Sequence, residues 1–210
     1  MDIADPYNGY GRSLPSSPFL PVLLAESGVP AVSHGVETVG PKFGVTHHQI
    51  LQAAGVSVEL TGEEAGKQIS NLEIGWAYVD QSQFCPSLFG MAEFRKKIVK
   101  RAAISTAEVL TGPVRGRNKT HLLAGYVHNE YPPIYTMLAR HSGFNSALLM
   151  RGTEGGVTPS LCKRGEFVRY WEQSKDVVVE ADTSKIGIEQ ENRLVPIPHA
   201  LMPIIDREFG

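Results

Sequence analysis

Residues Gly28 to Gly55 read GVPAVSHGVETVGPKFGVTHHQILQAAG. A short apolar run, Val29 to Val32, leads into Ser33-His34-Gly35. A glycine-punctuated loop follows, and then a helical pattern from His47 to Ala54 that stops at Gly55. Strand, glycine-rich turn and helix start, in that order, suit an anion. The helix start presents free N–H groups, and glycine lets the backbone approach a ligand. The same order describes any βα turn, so spacing alone leaves both readings open.

On the N-terminal side, Asp2 to Ala4 is too short to assign as a strand, and Asp5 to Pro15 is a loop broken by Pro6, Asn8, Gly9, Gly11 and Pro15. Ser17 is expected to cap a helix that opens with Pro18 and runs to Ser27. On the C-terminal side, Val56 to Leu60 alternates apolar and polar residues. Thr61-Gly62-Glu63-Glu64 is a capping box for a helix to about Asn71. Ile74 to Val79 (IGWAYV) reads as a buried strand. Pro86 to Arg101 reads as a helix ending in Arg95, Lys96, Lys97, Lys100 and Arg101. Such a basic end complements the helix dipole, and a solvated helix end is the simplest account of it. Ala102 to Leu110 is a second helical piece. Thr120 to His128 is a strand, Pro132 or Pro133 opens a helix that closes at Ser142-Gly143, and Ser146 to Arg151 is another buried strand. The loop Gly152 to Gly156 follows. Phe167 to Trp171 and Val177 to Glu180 are β-like, and the tail from Gly187 is irregular.

Strands alternating with helices predict an α/β fold, a three-layer αβα arrangement with a mainly parallel sheet. Residues 1–165 form its core, and residues 166–210 are a β-rich continuation and irregular tail of the same domain. Ligands of such sheets sit at the carboxyl ends of the strands. The loops Ser33 to Val45, after Val79, and Gly152 to Gly156 are therefore expected to meet at one edge.

A chain of 210 residues is long enough for one domain with a real core. A net charge of −2 gives no overall footprint for nucleic acid, so any basic face must be local. Cys85 and Cys162 are far apart, without zinc or CxxC spacing, and read as reduced residues of an intracellular protein. No apolar run nears the roughly 20 residues of a membrane span. The acidic, turn-rich start does not look like a signal peptide. The expected location is the cytoplasm, or an organelle stroma if a transit peptide lies outside this sequence.

Walker, GxGxxG, HExxH and GxSxG motifs are all missing. His47 and His48 are adjacent, so on a helix their rings point about 100° apart and cannot share a metal. No carboxylate pair suited to Mg²⁺ stands out, and no metal ligand is assigned. Glu154, in the glycine loop, is the one carboxylate placed like a ligand.

The segments GVPAVSHG (28–35), ILQAAGV (50–56), TGEEAGKQI (61–69), IGWAYV (74–79), FRKKIVKRAA (94–103), LTGPV (110–114), LLAGYVH (122–128) and SALLMRGTEG (146–155), in that order, resemble anthranilate phosphoribosyltransferase and its relatives. The resemblance covers roughly Asp2 to Leu161. It implies the phosphoribosyltransferase and nucleoside phosphorylase fold, a small helical domain beside the α/β domain, and a homodimer. It also implies transfer of phosphoribose from phosphoribosyl pyrophosphate to an aromatic acceptor in tryptophan synthesis, with Mg²⁺ as cofactor.

Residue by residue, His34 and Gly35 match two positions of the family's K-H-G-N-R segment, while Ser33, Val36 and Glu37 depart from it. Arg95 and Arg101 match an arginine pair whose first member binds the acceptor, a role that suits a guanidinium facing a carboxylate. Gly152 and Glu154 lie in the matching glycine loop, and the metal-binding Asp-Glu pair is replaced near Val157 and Thr158. The G-T-G-G-D and N-x-S-T segments would lie near or upstream of residue 1 and are not found. The sequence therefore reads as an incomplete chain of a divergent branch, inactive by itself. Some members of that branch bind nucleic acid. Lys96, Lys97, Lys100, Arg115, Arg117 and Lys119 are the residues that would form such a surface, and binding to it would fall steeply with salt.

Overall fold

The computed structural model describes residues 1–98, 103–162, 164–188, 190–192 and 194–198. Its centre is the shortest strand, β1 (Asp2–Ala4), which pairs in parallel with β2 (Ala31–Gly35) on one side and β4 (His121–Gly125) on the other. The sequence reading left this segment unassigned because three residues are too few to show a period. Two parallel neighbours satisfy its backbone on both sides, and Ile3 is fully buried.

The remaining strands are β3 (Trp76–Asp80), β5 (Ser146–Met150), β6 (Gly165–Trp171) and β7 (Val177–Ala181). The sheet runs β3-β2-β1-β4-β5-β6-β7. Strands β1 to β5 are mutually parallel, and β6 and β7 extend the sheet as an antiparallel hairpin. The expected mainly parallel α/β sheet is borne out.

Helices cover both faces, as side-chain alternation along the strands requires. On one face α3 (Gly62–Ser70) packs Ala65 against Val32, Ala77 and Val79. On the same face α8 (Tyr131–His141) packs Tyr135 and Ala139 against Leu122, Ala124 and Leu149. On the opposite face α1 (Leu20–Glu26) brings Leu20 and Leu24 onto Ile3, Ala31 and Leu123. There too, α2 (His47–Ala53) sets Leu51 against Tyr78. Thr61 and Glu64 form the expected capping box of α3, and Thr46 and Gln49 form another on α2.

Three local expectations are corrected. Ser17 does not cap a helix: a 3₁₀ turn, Ser17–Phe19, precedes α1, and the buried Ser17 hydroxyl donates 2.5 Å to Asp5 instead. Ser17 lies inside the 3₁₀ turn, with Ser16 at the position before it, and its hydroxyl is held by a charge-assisted bond to the carboxylate. A short helix, α4 (Gln81–Phe84), precedes Pro86, and the described part of the stretch Pro86 to Arg101 is not one helix but two pieces, α5 (Pro86–Phe89) and α6 (Ala92–Lys96). Pro86 lacks the N–H that would continue α4, and Gly90 ends α5. Within Ala102 to Leu110, the regular pieces are α7 (Ile104–Ala107) and a 3₁₀ turn to Leu110. Among the described residues no helix is long and apolar enough to cross a membrane.

Candidate functional site

The chain leaves β1 for β2 and β3 on one side and for β4 and β5 on the other. The carboxyl ends of β1 and β4 therefore flank a topological switch point, where open α/β sheets bind ligands. Two loops meet over it: Asp5 to Pro15 after β1, and Arg151 to Gly156 after β5. Their closeness depends on missing side chains. A Cβ on Gly125, at the end of β4, would lie 2.1 Å from the Gly155 carbonyl oxygen, and one on Gly152 would lie 1.7 Å from that of Gly156. A Cβ on Gly156 would meet the Tyr10 hydroxyl at 1.6 Å.

Asp5, the first residue after β1, ties the edge together. Its buried carboxylate accepts hydrogen bonds from the Val157 N–H at 2.8 Å, the Tyr10 hydroxyl at 2.6 Å and the Ser17 hydroxyl at 2.5 Å. The His47 Nε2 lies 2.6 Å from the same group. One side chain thus joins the first loop, the turn before α1, the start of α2 and the glycine loop. Burial pushes the Asp5 carboxyl up, but the His47 charge and the hydroxyl and imidazole donors outweigh it and hold it below its ordinary value.

Glu154 is held in the same way at the outer rim. Its carboxylate accepts from three consecutive amides, Gly11 at 3.0 Å, Arg12 at 3.0 Å and Ser13 at 2.9 Å. The Ser13 hydroxyl adds a bond at 2.8 Å, and Lys42 Nζ lies 2.5 Å away. Successive amides aimed at one point form an anion nest. Burial raises the Glu154 carboxyl, but the Lys42, Gly11 and Ser13 donors and the Lys42 charge prevail and bring it to about 2. Its side chain is only 2% exposed.

The pH consequence has a definite sign. A carboxyl depressed on folding contributes stability that is complete above its ordinary value of 4.5 and is lost as pH falls through that value toward 2. Urea midpoints measured between pH 6 and pH 2.5 should fall, with Glu154 contributing on the order of 3 kcal/mol. Glu154→Gln should flatten that part of the profile. An unchanged slope in the variant would contradict the assignment.

The other residues singled out in the sequence have definite places. His34 is 1% exposed; its Nε2 lies 2.9 Å from Asp2, its Nδ1 bonds the Tyr7 hydroxyl, and Phe84 packs edge-on against its ring. Arg95 is also buried: its guanidinium bonds Glu108, the Ser105 hydroxyl at 3.1 Å and the Gly40 carbonyl at 3.3 Å. The Tyr7 hydroxyl is held well above its usual range, first by burial and then by the Glu108 charge. Neither His34 nor Arg95 opens onto the loop edge. Gly152 and Glu154 do lie there, whereas Gly35 sits against the Tyr78 hydroxyl.

The basic residues divide. Arg115 lies over the Phe144 ring, and Lys119 bonds Glu172 and lies over Trp171. Both precede β4 and so belong to the opposite, amino-terminal edge of the sheet. Arg117 and Lys97 are exposed. Lys100, Arg101 and the side chain of Lys96 lie outside the described residues. His47 and His48 turn apart as expected, to Asp5 and to Asp80, the latter at 2.9 Å.

The anion expectation was attached to the start of α2. Thr46 caps that start, and the convergent amides stand instead on Gly11 to Ser13. Sequence reading passed over Asp5, Ser13 and Lys42. The one available signal was the glycine pair Gly9 and Gly11 in a loop that follows an apolar residue.

No family model matches this chain. It is 28% identical over 165 residues to an anthranilate phosphoribosyltransferase of Desulforamulus reducens, covering 75% of this chain and 44% of that protein. It is 22% identical over 189 residues to an uncharacterized protein of Aquifex aeolicus, covering 90% and 54%. Among solved structures, anthranilate phosphoribosyltransferase from Saccharomyces cerevisiae in complex with PRPP and Mg superposes with a TM-score of 0.73 at 15% identity, over 99% of this chain and 55% of that one. The same enzyme with 4-fluoroanthranilate gives 0.71 at 16% identity over the same shares. The fold is thus the α/β fold of a phosphoribosyltransferase. In sequence pattern and fold together, the chain resembles the anthranilate phosphoribosyltransferases, and it spans about half the length of the curated relatives it matches.

Proposed function

We propose that this chain is the α/β part of an anthranilate phosphoribosyltransferase-like protein that holds a phosphorylated pentose at the carboxyl edge of β1, β4 and β5. One observation carries the reading. The loops after β1 and β5 converge at the switch point of a fold whose yeast counterpart was solved with PRPP and Mg. The reaction class is pentosyl transfer: the bond from C1 to pyrophosphate breaks, a bond from C1 to the acceptor forms, and the acceptor's proton leaves. The groups on this edge supply positioning for such a transfer.

Mg²⁺ does not fit the residues present. Among the described residues no three His, Cys, Asp or Glu side chains converge on one point, and the Glu154 carboxylate is already taken by Lys42 and three amides. On this reading Val157 and Thr158 stand where relatives keep carboxylates, and Ser33, Val36 and Glu37 form an altered substrate loop. The acceptor role of Arg95 is in tension with its burial against Glu108.

The test is a calorimetric titration of the chain with phosphoribosyl pyrophosphate, with and without anthranilate, and with single-stranded DNA at two salt concentrations. Saturable binding of the sugar phosphate is expected. Salt-sensitive DNA binding without it would overturn the reading in favour of a nucleic-acid function.

A further inference from the structure

Five donors converge on Glu154: the Gly11, Arg12 and Ser13 amides, the Ser13 hydroxyl and the Lys42 ammonium. A carboxylate offers this set two oxygens and one negative charge. A phosphoryl group offers three terminal oxygens and up to two charges, which suits five donors better. The nest is formed by the backbone of the loop after β1, so it does not depend on Glu154 for its covalent shape. Glu154 reaches it from a different loop, across 141 residues of sequence, through one flexible side chain.

A polar cavity of about 420 Å³ opens beside this contact and is lined by Glu154 together with Arg12, Arg151 and Arg164. Arg164 is paired with Asp182 at 3.0 Å, and Glu166 and Glu180 also line the space. The cavity gives an anion a route to the nest past two exposed guanidinium groups, those of Arg12 and Arg151. It also gives the displaced Glu154 side chain a polar space to enter.

We propose that Glu154 plugs the Gly11–Ser13 nest as an internal stand-in, which a phosphate or pyrophosphate group must displace from these amides and Lys42. The assignment rests on the phosphorylated-pentose reading above and adds regulation to it. Occupancy by Glu154 weakens ligand binding, keeps the loop ordered when no ligand is bound, and couples the loop after β5 to the state of the loop after β1. Removing the competing charge should strengthen binding, since an internal anion at the same donors acts as a competitor of fixed concentration.

The experiment titrates inorganic pyrophosphate, and separately inorganic phosphate, into the unaltered chain and into Glu154→Gln. Calorimetry gives affinity, and amide chemical shifts report Gly11, Arg12 and Ser13. Glu154→Gln should bind pyrophosphate at least tenfold more tightly, with the largest shifts at those three amides. Lys42→Met added to Glu154→Gln should remove the gain. A folded Glu154→Gln whose affinity is equal to or weaker than that of the unaltered chain overturns the proposal, as do shifts centred elsewhere. Should Glu154→Gln fail to fold, Glu154→Asp, still charged but one methylene shorter, must bind pyrophosphate more tightly than the unaltered chain, and equal or weaker binding overturns the proposal.

The outcomes separate this inference from the reading it rests on. Tight phosphoribosyl pyrophosphate binding with no gain in Glu154→Gln leaves the reading and removes the plug. A gain for pyrophosphate with no binding of the sugar phosphate leaves the plug and removes the reading.

Discussion

Asp5→Ala is expected to lose on the order of 4 to 6 kcal/mol of stability, enough to leave much of the chain unfolded at 25 °C. The change removes the acceptor of the Val157 amide, the Tyr10 and Ser17 hydroxyls and the partner of His47, all of them buried. Each donor stranded without water costs about 1–3 kcal/mol, and the four are not additive because the loops can relax together. Asp5→Asn keeps one carbonyl acceptor and should cost about half as much. Far-UV circular dichroism against urea checks both variants. A loss of less than about 1 kcal/mol for Asp5→Ala would mean that the four donors find other partners, and that Asp5 does not organise the edge.

Arg95→Ala is expected to cost about 3–5 kcal/mol, the range for breaking a buried ion pair from one side. The guanidinium joins α6 to Glu108, Ser105 and the loop carbonyl of Gly40, and its removal takes the positive charge away from a carboxylate that is itself 1% exposed. Lys97→Ala, two positions along and exposed, should stay within about 0.5 kcal/mol. The contrast matters for function. The family resemblance gives Arg95 an acceptor-binding role, so lost activity in Arg95→Ala would be taken as lost binding. The geometry expects the thermal midpoint to fall as well. A variant with an unchanged midpoint and reduced acceptor affinity would return Arg95 to the acceptor.

Much of the architecture was legible because it follows from local chemistry. The capping box of Thr61 and Glu64, the stop of α2 at Gly55 and the buried runs of β3 and β5 are each written in a few neighbouring residues. The central strand was not legible, since Asp2–Ala4 is defined by its two partners and not by any pattern of its own. The site was less legible for a related reason. Asp5 meets Val157 across 152 residues, and Glu154 meets Gly11 across 143, so neither contact leaves a spacing to read. Glu154 was noticed as a carboxylate in a glycine loop, but of its partners only Gly11 carries a mark in the sequence, as a loop glycine, and Arg12, Ser13 and Lys42 carry none. His34 shows the opposite case: its place beside Gly35 at a strand end suggested a ligand, and tertiary packing has closed Asp2, Tyr7 and Phe84 around it.

On the proposed function, a phosphorylated ligand binds where the loops after β1 and β5 meet. Hydrogen exchange of the chain with and without phosphoribosyl pyrophosphate locates that binding. Protection is expected in peptides spanning Gly9 to Pro15 and Gly152 to Val157, with the segment Arg115 to Thr120 at the opposite edge unchanged. Protection centred on Arg115 to Thr120, or none at saturating ligand, would contradict the account.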